Sequence, residues 1–202
     1  MSSPDRRRRC ILASSLPALV MLAAGCASSP PRRWHRLPLD VPDAPVPVPP
    51  AQANSQAWEV SARIALPAYL DREELLIDAG QGQVLALPND RWAEPLADAV
   101  QRLLLHDLTL LRAPGTVWLA PAPANAGAAL RLRVAVMALQ AEPAQARLRL
   151  QARWTFQGPG AAPNQRQVTL ESPLADASPA ALVRAHRLAL WQLAQRIVAD
   201  GN

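Results

Sequence analysis

The chain has 202 residues, 21 Lys plus Arg against 16 Asp plus Glu, a formal net charge of +5 and apolar side chains at 50% of positions. That length suits one ordinary domain with a leader and a tether, and the apolar share can fill a core, which excludes a disordered or fibrous chain. Every basic residue is arginine, and Arg6, Arg7, Arg8 and Arg9 hold most of the excess charge, so a basic nucleic-acid-binding domain is not indicated.

Those four arginines open the chain's first element. Behind them runs an apolar stretch from Cys10 to Ala24, shorter than the ~20 residues that span a hydrocarbon core. A basic start, an apolar run and small residues before a cut site make a secretory signal. Its end, Leu22-Ala23-Ala24-Gly25-Cys26, resembles a bacterial lipobox. The resemblance implies that Cys26 is the lipidated first residue of the mature protein. Ala27 and Ser28 follow it in place of an Asp retention signal, which favours the outer membrane. Cys10 leaves with the leader, so no disulfide is expected.

The expected organisation is a signal peptide over 1–25, a proline-rich tether over 26–57 and a periplasmic domain over 58–202. Pro30, Pro31, Pro38, Pro42, Pro45, Pro47, Pro49 and Pro50 favour extended polyproline geometry, a semi-rigid spacer. The other reading of this stretch is an ordered loop with a short strand near Trp34 to Leu37. Trp58 to Leu66 alternates as a half-buried strand that Pro67 stops. Glu74 to Asp78 and Gln83 to Leu87 form two strands joined through Gly80-Gln81-Gly82. A helix is expected from about Trp92 to Leu111, with Asp90 as N-cap and Leu96, Val100, Leu103, Leu104, Leu108 and Leu111 as its apolar stripe.

Thr116 to Leu119 reads as a short strand. Two strongly alternating strands follow. Leu130, Leu132, Val134 and Val136 face inward, as do Leu148, Leu150, Ala152, Trp154 and Phe156. Arg131, Arg133, Arg147, Arg149 and Arg153 face outward, with Arg131 or Arg133 expected close to Arg153. That face is either a solvated sheet surface or a docking surface for an acidic partner or lipid phosphates. Gln165 to Leu170 is a further strand. Ser178 caps a last helix with Pro179 at its first position and Leu182, Ala185, Ala189, Leu193 and Ile197 on its buried side. The fold class is α+β: one domain, a largely antiparallel sheet and two main helices packed on one face.

Catalytic chemistry is not indicated. His35, His106 and His186 lack neighbours at metal-ligand spacing, and His106 and Asp107 occupy adjacent helix positions that do not face each other. No nucleophile elbow, zinc-binding helix or phosphate loop is present. No catalytic residue, metal or cofactor is expected.

Two blocks carry a resemblance. The first is Leu66-Pro67-Ala68-Tyr69-Leu70-Asp71-Arg72. The second is Asn89-Asp90-Arg91-Trp92-Ala93-Glu94-Pro95-Leu96. Their order and spacing, with the lipobox upstream, are similar to the PqiC (YmbA-type) family of auxiliary lipoproteins of ABC-type and MCE-type lipid transport. The resemblance implies an outer-membrane lipoprotein, facing the periplasm, that docks an MCE-domain periplasm-spanning partner and is not itself a catalyst. It leaves homo-oligomerisation open. Pro67, Tyr69, Leu70, Asp71, Arg72, Arg91, Trp92, Glu94 and Pro95 are then either architectural or contact residues. The competing readings are a periplasmic lipid carrier and an envelope-assembly lipoprotein acting on lipopolysaccharide or outer-membrane proteins.

Overall fold

The computed structural model describes residues 30–40, 56–127 and 130–201. The leader, Cys26 and the proline-rich stretch 41–55 lie outside the described residues. The chain divides into a leading unit, Met1–Pro31, and a second unit, Arg32–Asn202, to which every element below belongs.

The fold is α+β, with two mixed sheets in place of one. The smaller sheet has the order β1-β4-β3, from β1 (Arg33–His35), β3 (Glu74–Gly80) and β4 (Gln83–Trp92). The larger has the order β5-β2-β6-β7-β8. Its strands are β2 (Trp58–Val60), β5 (Val117–Leu119), β6 (Leu130–Glu142), β7 (Arg147–Gln157) and β8 (Asn164–Pro173). The long ladders, β3 with β4, β6 with β7 and β7 with β8, are antiparallel. Three short pairings are parallel: β1 with β4, and β2 with both β5 and β6. Each joins strands separated by long connections, as parallel pairing requires.

The β3–β4 turn follows from its glycines. Gly80 pairs with Gln83, leaving Gln81-Gly82 as the two-residue loop, with φ of 55° and 77°. Positive φ at both positions is the turn whose twist matches a hairpin. β4 extends five residues beyond the expected Leu87. Leu76 pairs with Ala86, but Glu74 pairs with Arg91, so the ladder is irregular between them, and Pro88 sits in that gap. A proline is tolerated where the ladder is already broken.

The first helix, α1 (Leu96–Leu111), therefore begins later than expected. Trp92 ends β4, and Asp90 is a strand residue, not an N-cap. Pro95 holds the N-cap position with ψ 130°, which keeps the chain extended until Leu96. The expected strand over Trp58 to Leu66 is likewise shortened. Regular pairing stops at Val60 and resumes as a single bridge, Ala65 with Ala135, so Ala62 lies exposed between buried Val60 and Ile64.

The last helix, α2 (Pro179–Gly201), starts as the sequence suggests: Ser178 Oγ accepts from the Ala181 N–H at 3.3 Å. It packs on β7 and β8 on one side and on α1 on the other, while α1 also meets β5. Hence its middle is buried nearly all round, including Arg187, Leu190 and Trp191. The inward residues of β6 and β7, Leu132 to Phe156, form the facing layer. Trp58 lies at the end of this core. Phe156 tilts against it at 4.8 Å, and the Arg112 guanidinium lies 3.7 Å over its ring. Burial lowers the Arg112 pKa to about 10.

Candidate functional site

The two sequence blocks meet in space. Pro67 ends the extended run, and a 3-10 turn, Ala68–Leu70, folds Leu70 into the core. Tyr69 is half-buried, its hydroxyl accepting from the Leu139 N–H at 3.4 Å, and burial raises its pKa. The chain then emerges at Asp71 and Arg72, both exposed. Asp71, Arg72 and Glu73 line one wall of a cleft of about 220 Å³; Trp92, Ala93, Glu94 and Pro95 line the other, and Trp34 of β1 closes it. Trp34 is 54% exposed.

The remaining motif residues hold this cleft together. Trp92 is buried and meets the ring of His186 edge-on at 5.3 Å. Arg91 donates to the carbonyls of Leu87 and Asp90 at 3.0 Å each and stands 3.8 Å from Glu74 across the sheet. Glu94 accepts from Arg102 of α1, which ties the linker to the helix.

The structure also supplies a hub that the sequence reading missed. Asp90 is 3% exposed. Arg33 donates to it through Nε at 2.9 Å and Nη2 at 2.8 Å, and His35 through Nε2 at 2.7 Å. The Arg33 hydrogen bond holds the Asp90 carboxyl below its usual range, with burial opposing and His35 assisting. Arg33 pairs with Asp90 in register and His35 with Trp92, so β1 is fastened by side chains as well as backbone. The available signal was the i, i+2 spacing of Arg33 and His35, which puts both on one face of a strand.

A second cleft, of about 490 Å³, lies on the other side of Trp34. His35, Arg36, Pro38, Asp40 and the start of α2 line it, including Arg184. An open groove of about 840 Å³ runs past Ile64, Leu66, Leu70 and Leu105 with Asp98 and Arg102 among its walls.

The arginine face differs from expectation in its pairing. Ala135, not Arg131 or Arg133, stands opposite Arg153; Arg131 faces Gln157 and Arg133 faces Thr155. The register that aligns Leu132 with Phe156 and Val134 with Trp154 imposes this offset. Arg131 lies 3.4 Å from Glu59, and Arg147 bridges Glu142 at 2.6 Å and Glu171 at 2.7 Å. Among the described residues Arg133, Arg149 and Arg153 have no carboxylate partner.

Among the described residues no group of three or more His, Cys, Asp or Glu is placed to hold a metal ion, and no helix is long and apolar enough to cross a membrane. Asp107 turns away from His106 to Arg187 of α2.

Comparison with known proteins gives a family and a fold. A crystal structure described as that of an uncharacterized protein superposes with a TM-score of 0.66 at 17% identity, covering 85% of this chain and 99% of its own. Protein XCC0632 from Xanthomonas campestris superposes with a TM-score of 0.64 at 14% identity, covering 82% and 92%. At such identities the likeness concerns the fold. Curated proteins give no match. The model of the ABC-type transport auxiliary lipoprotein component matches residues 38–198, from the end of the opening segment to the last turns of α2. The chain belongs to that family, the PqiC (YmbA-type) auxiliary lipoproteins.

Proposed function

We propose that this auxiliary lipoprotein is held at the outer membrane by lipid on Cys26 and docks an MCE-domain partner that spans the periplasm. Its task is attachment and not catalysis. One observation carries this reading: two blocks some twenty residues apart in sequence, with Trp34 from a third segment, converge on a single cleft. An exposed tryptophan ringed by charged side chains is the kind of surface that anchors a protein partner. The leader supports the anchor, since several acyl chains at about 0.8 kcal/mol per buried methylene make release negligible.

Crosslinking in intact cells, followed by identification of the captured protein, tests the partner. Capture of an MCE-domain protein is expected; its absence at every surface position overturns the docking reading. Replacing Cys26 with Ser and fractionating the cells tests the anchor. The variant should move to the soluble periplasmic fraction, and one that stays as firmly bound as the parent counts against lipidation.

The lipid-carrier reading has one feature in its favour, the groove past Ile64, Leu66 and Leu105, whose size falls in the range of ligand sites. Lipid extracted with the purified soluble domain would support it.

A further inference from the structure

β1 is an edge strand, and its geometry says what could lie beside it. In a parallel pair, alternate residues of one strand bond the neighbour with both backbone groups. The Ala93 N–H bonds the His35 carbonyl at 2.8 Å, which puts His35 and Arg33 in the set that bonds β4. Trp34 therefore turns its own N–H and C=O to the open edge. No described strand pairs there.

Trp34 is also the wall shared by the two clefts. Their charges are opposite. On the side of the sequence blocks, Asp71 and Glu73 outnumber Arg72, since Glu94 is bound to Arg102. On the α2 side, Arg36 and Arg184 outnumber Asp40, since Arg187 is bound to Asp107. Among the described residues none of Asp71, Glu73, Arg36 and Arg184 has an ion-pair partner.

We propose that β1 receives an extended segment of the transport partner as a fourth strand of the smaller sheet. The segment sets an apolar side chain on Trp34, a basic one beside Asp71 and Glu73, and an acidic one beside Arg36 and Arg184. The free N–H and C=O of Trp34 select a polypeptide backbone, because strand addition satisfies donor and acceptor together. The opposed charges fix the direction in which the segment lies, since the reversed orientation juxtaposes like charges. This inference rests on the docking reading above and names its contact.

The test uses the full-length lipoprotein purified from membranes with the transport proteins that accompany it. Hydrogen exchange of backbone amides is compared between that assembly and the lone protein. Amides over residues 33–36 should exchange at least tenfold more slowly in the assembly. Trp34→Ala, and the charge-swapped pair Asp71→Arg with Arg184→Glu, should each lower partner recovery tenfold or more at an unchanged melting temperature. Arg166→Glu, an exposed arginine on β8 that lines neither cleft, should leave recovery unchanged. Partner recovery with unaltered exchange over 33–36 overturns the strand addition and leaves docking intact. Slowed exchange in the lone protein that rises with its own concentration overturns it in favour of a second copy. If no transport protein accompanies the parent chain, the docking reading itself fails and this inference falls with it.

Discussion

The guanidinium of Arg187 on α2 holds the carboxylate of Asp107 on α1 through two hydrogen bonds, Nη1 to Oδ2 at 2.8 Å and Nη2 to Oδ1 at 2.6 Å, with neither side chain exposed. The same guanidinium donates to the Leu39 carbonyl at 2.8 Å. One arginine thus joins the two helices to the segment that leads out of β1, behind the Trp34 clefts. Desolvation pushes the Asp107 carboxyl up, and Arg187 pulls it back.

Asp107→Ala should destabilise the domain by about 3–5 kcal/mol, because it strands a buried positive charge. Replacing both partners, Asp107→Leu with Arg187→Met, should cost less than the single change. Urea unfolding of the three proteins measures the difference. A double variant no better than Asp107→Ala would show that the Leu39 contact, not the ion pair, carries the cost.

Gly201 ends α2 against the aromatic cluster. A Cβ there would fall 2.3 Å from Trp58 Cζ2 and 2.7 Å from Phe156 Cζ, inside any real contact distance. The rings are fixed by their mutual packing and by Arg112, so the helix end must yield. Gly201→Ala should cost about 1–3 kcal/mol as overpacking does. Thermal unfolding of the variant checks this. An unshifted midpoint with faster exchange over the last turn would mean that the helix end frays to relieve the clash.

These two contacts mark the limits of what was legible in advance. The inward alternation of Leu132 to Val136 and of Leu148 to Phe156 is visible because a period of two repeats over many residues, and burial follows it. The stripe of α1 is visible for the same reason at the helical period. Boundaries were less so: Trp92 looks like a helix residue until Pro95 is seen to hold the N-cap. Asp107 lies three and four residues from Leu104 and Leu103, on the apolar stripe, and that position was a signal of a buried acid. Its partner was not readable, because Arg187 is eighty residues away and local spacing carries no such information. Likewise Arg33 and His35 sit at strand spacing, but nothing local points to Asp90. The smaller sheet gains its third strand when β1 returns to β4, a long-range pairing that no period encodes.

His186 gives the domain a pH dependence. It is 5% exposed, its Nδ1–H donates to the Leu182 carbonyl at 2.7 Å, and burial lowers its pKa to about 4. The folded state therefore keeps the ring neutral while the unfolded chain takes a proton near the ordinary value of 6.5. Between those values the unfolded state binds more protons. The contribution is complete above pH 6.5 and is lost as pH falls toward 4, by up to about 1.4 kcal/mol per unit. Asp107, whose carboxyl is raised, acts in the opposite sense, so comparison with His186→Leu isolates the ring. Urea midpoints at pH 7.5, 6 and 5 should fall for the parent more steeply than for the variant. Parallel curves would show that the imidazole already reaches water in the folded protein.

The outer face of the larger sheet separates two kinds of arginine. Arg131 and Arg147 have carboxylates within ion-pair distance, the Glu142 partner of Arg147 being buried. Arg133 and Arg153 have none among the described residues, and Arg153 keeps a buried Nε without a hydrogen-bond partner. Arg133 faces Thr155 and Arg153 faces Ala135, so neither guanidinium is matched by a charge across the ladder, and an acidic surface arriving there would supply one. Reversing both, Arg133→Glu with Arg153→Glu, should leave the domain folded, with the loss of packing confined to the half-buried stem of Arg153. Recovery of the transport partner from membranes should fall, and the parent's own recovery should weaken as salt is raised past the screening length of about 8 Å at 0.15 M. Undiminished recovery with the reversed pair would make this face a solvated surface and leave the Trp34 clefts as the place where the partner binds.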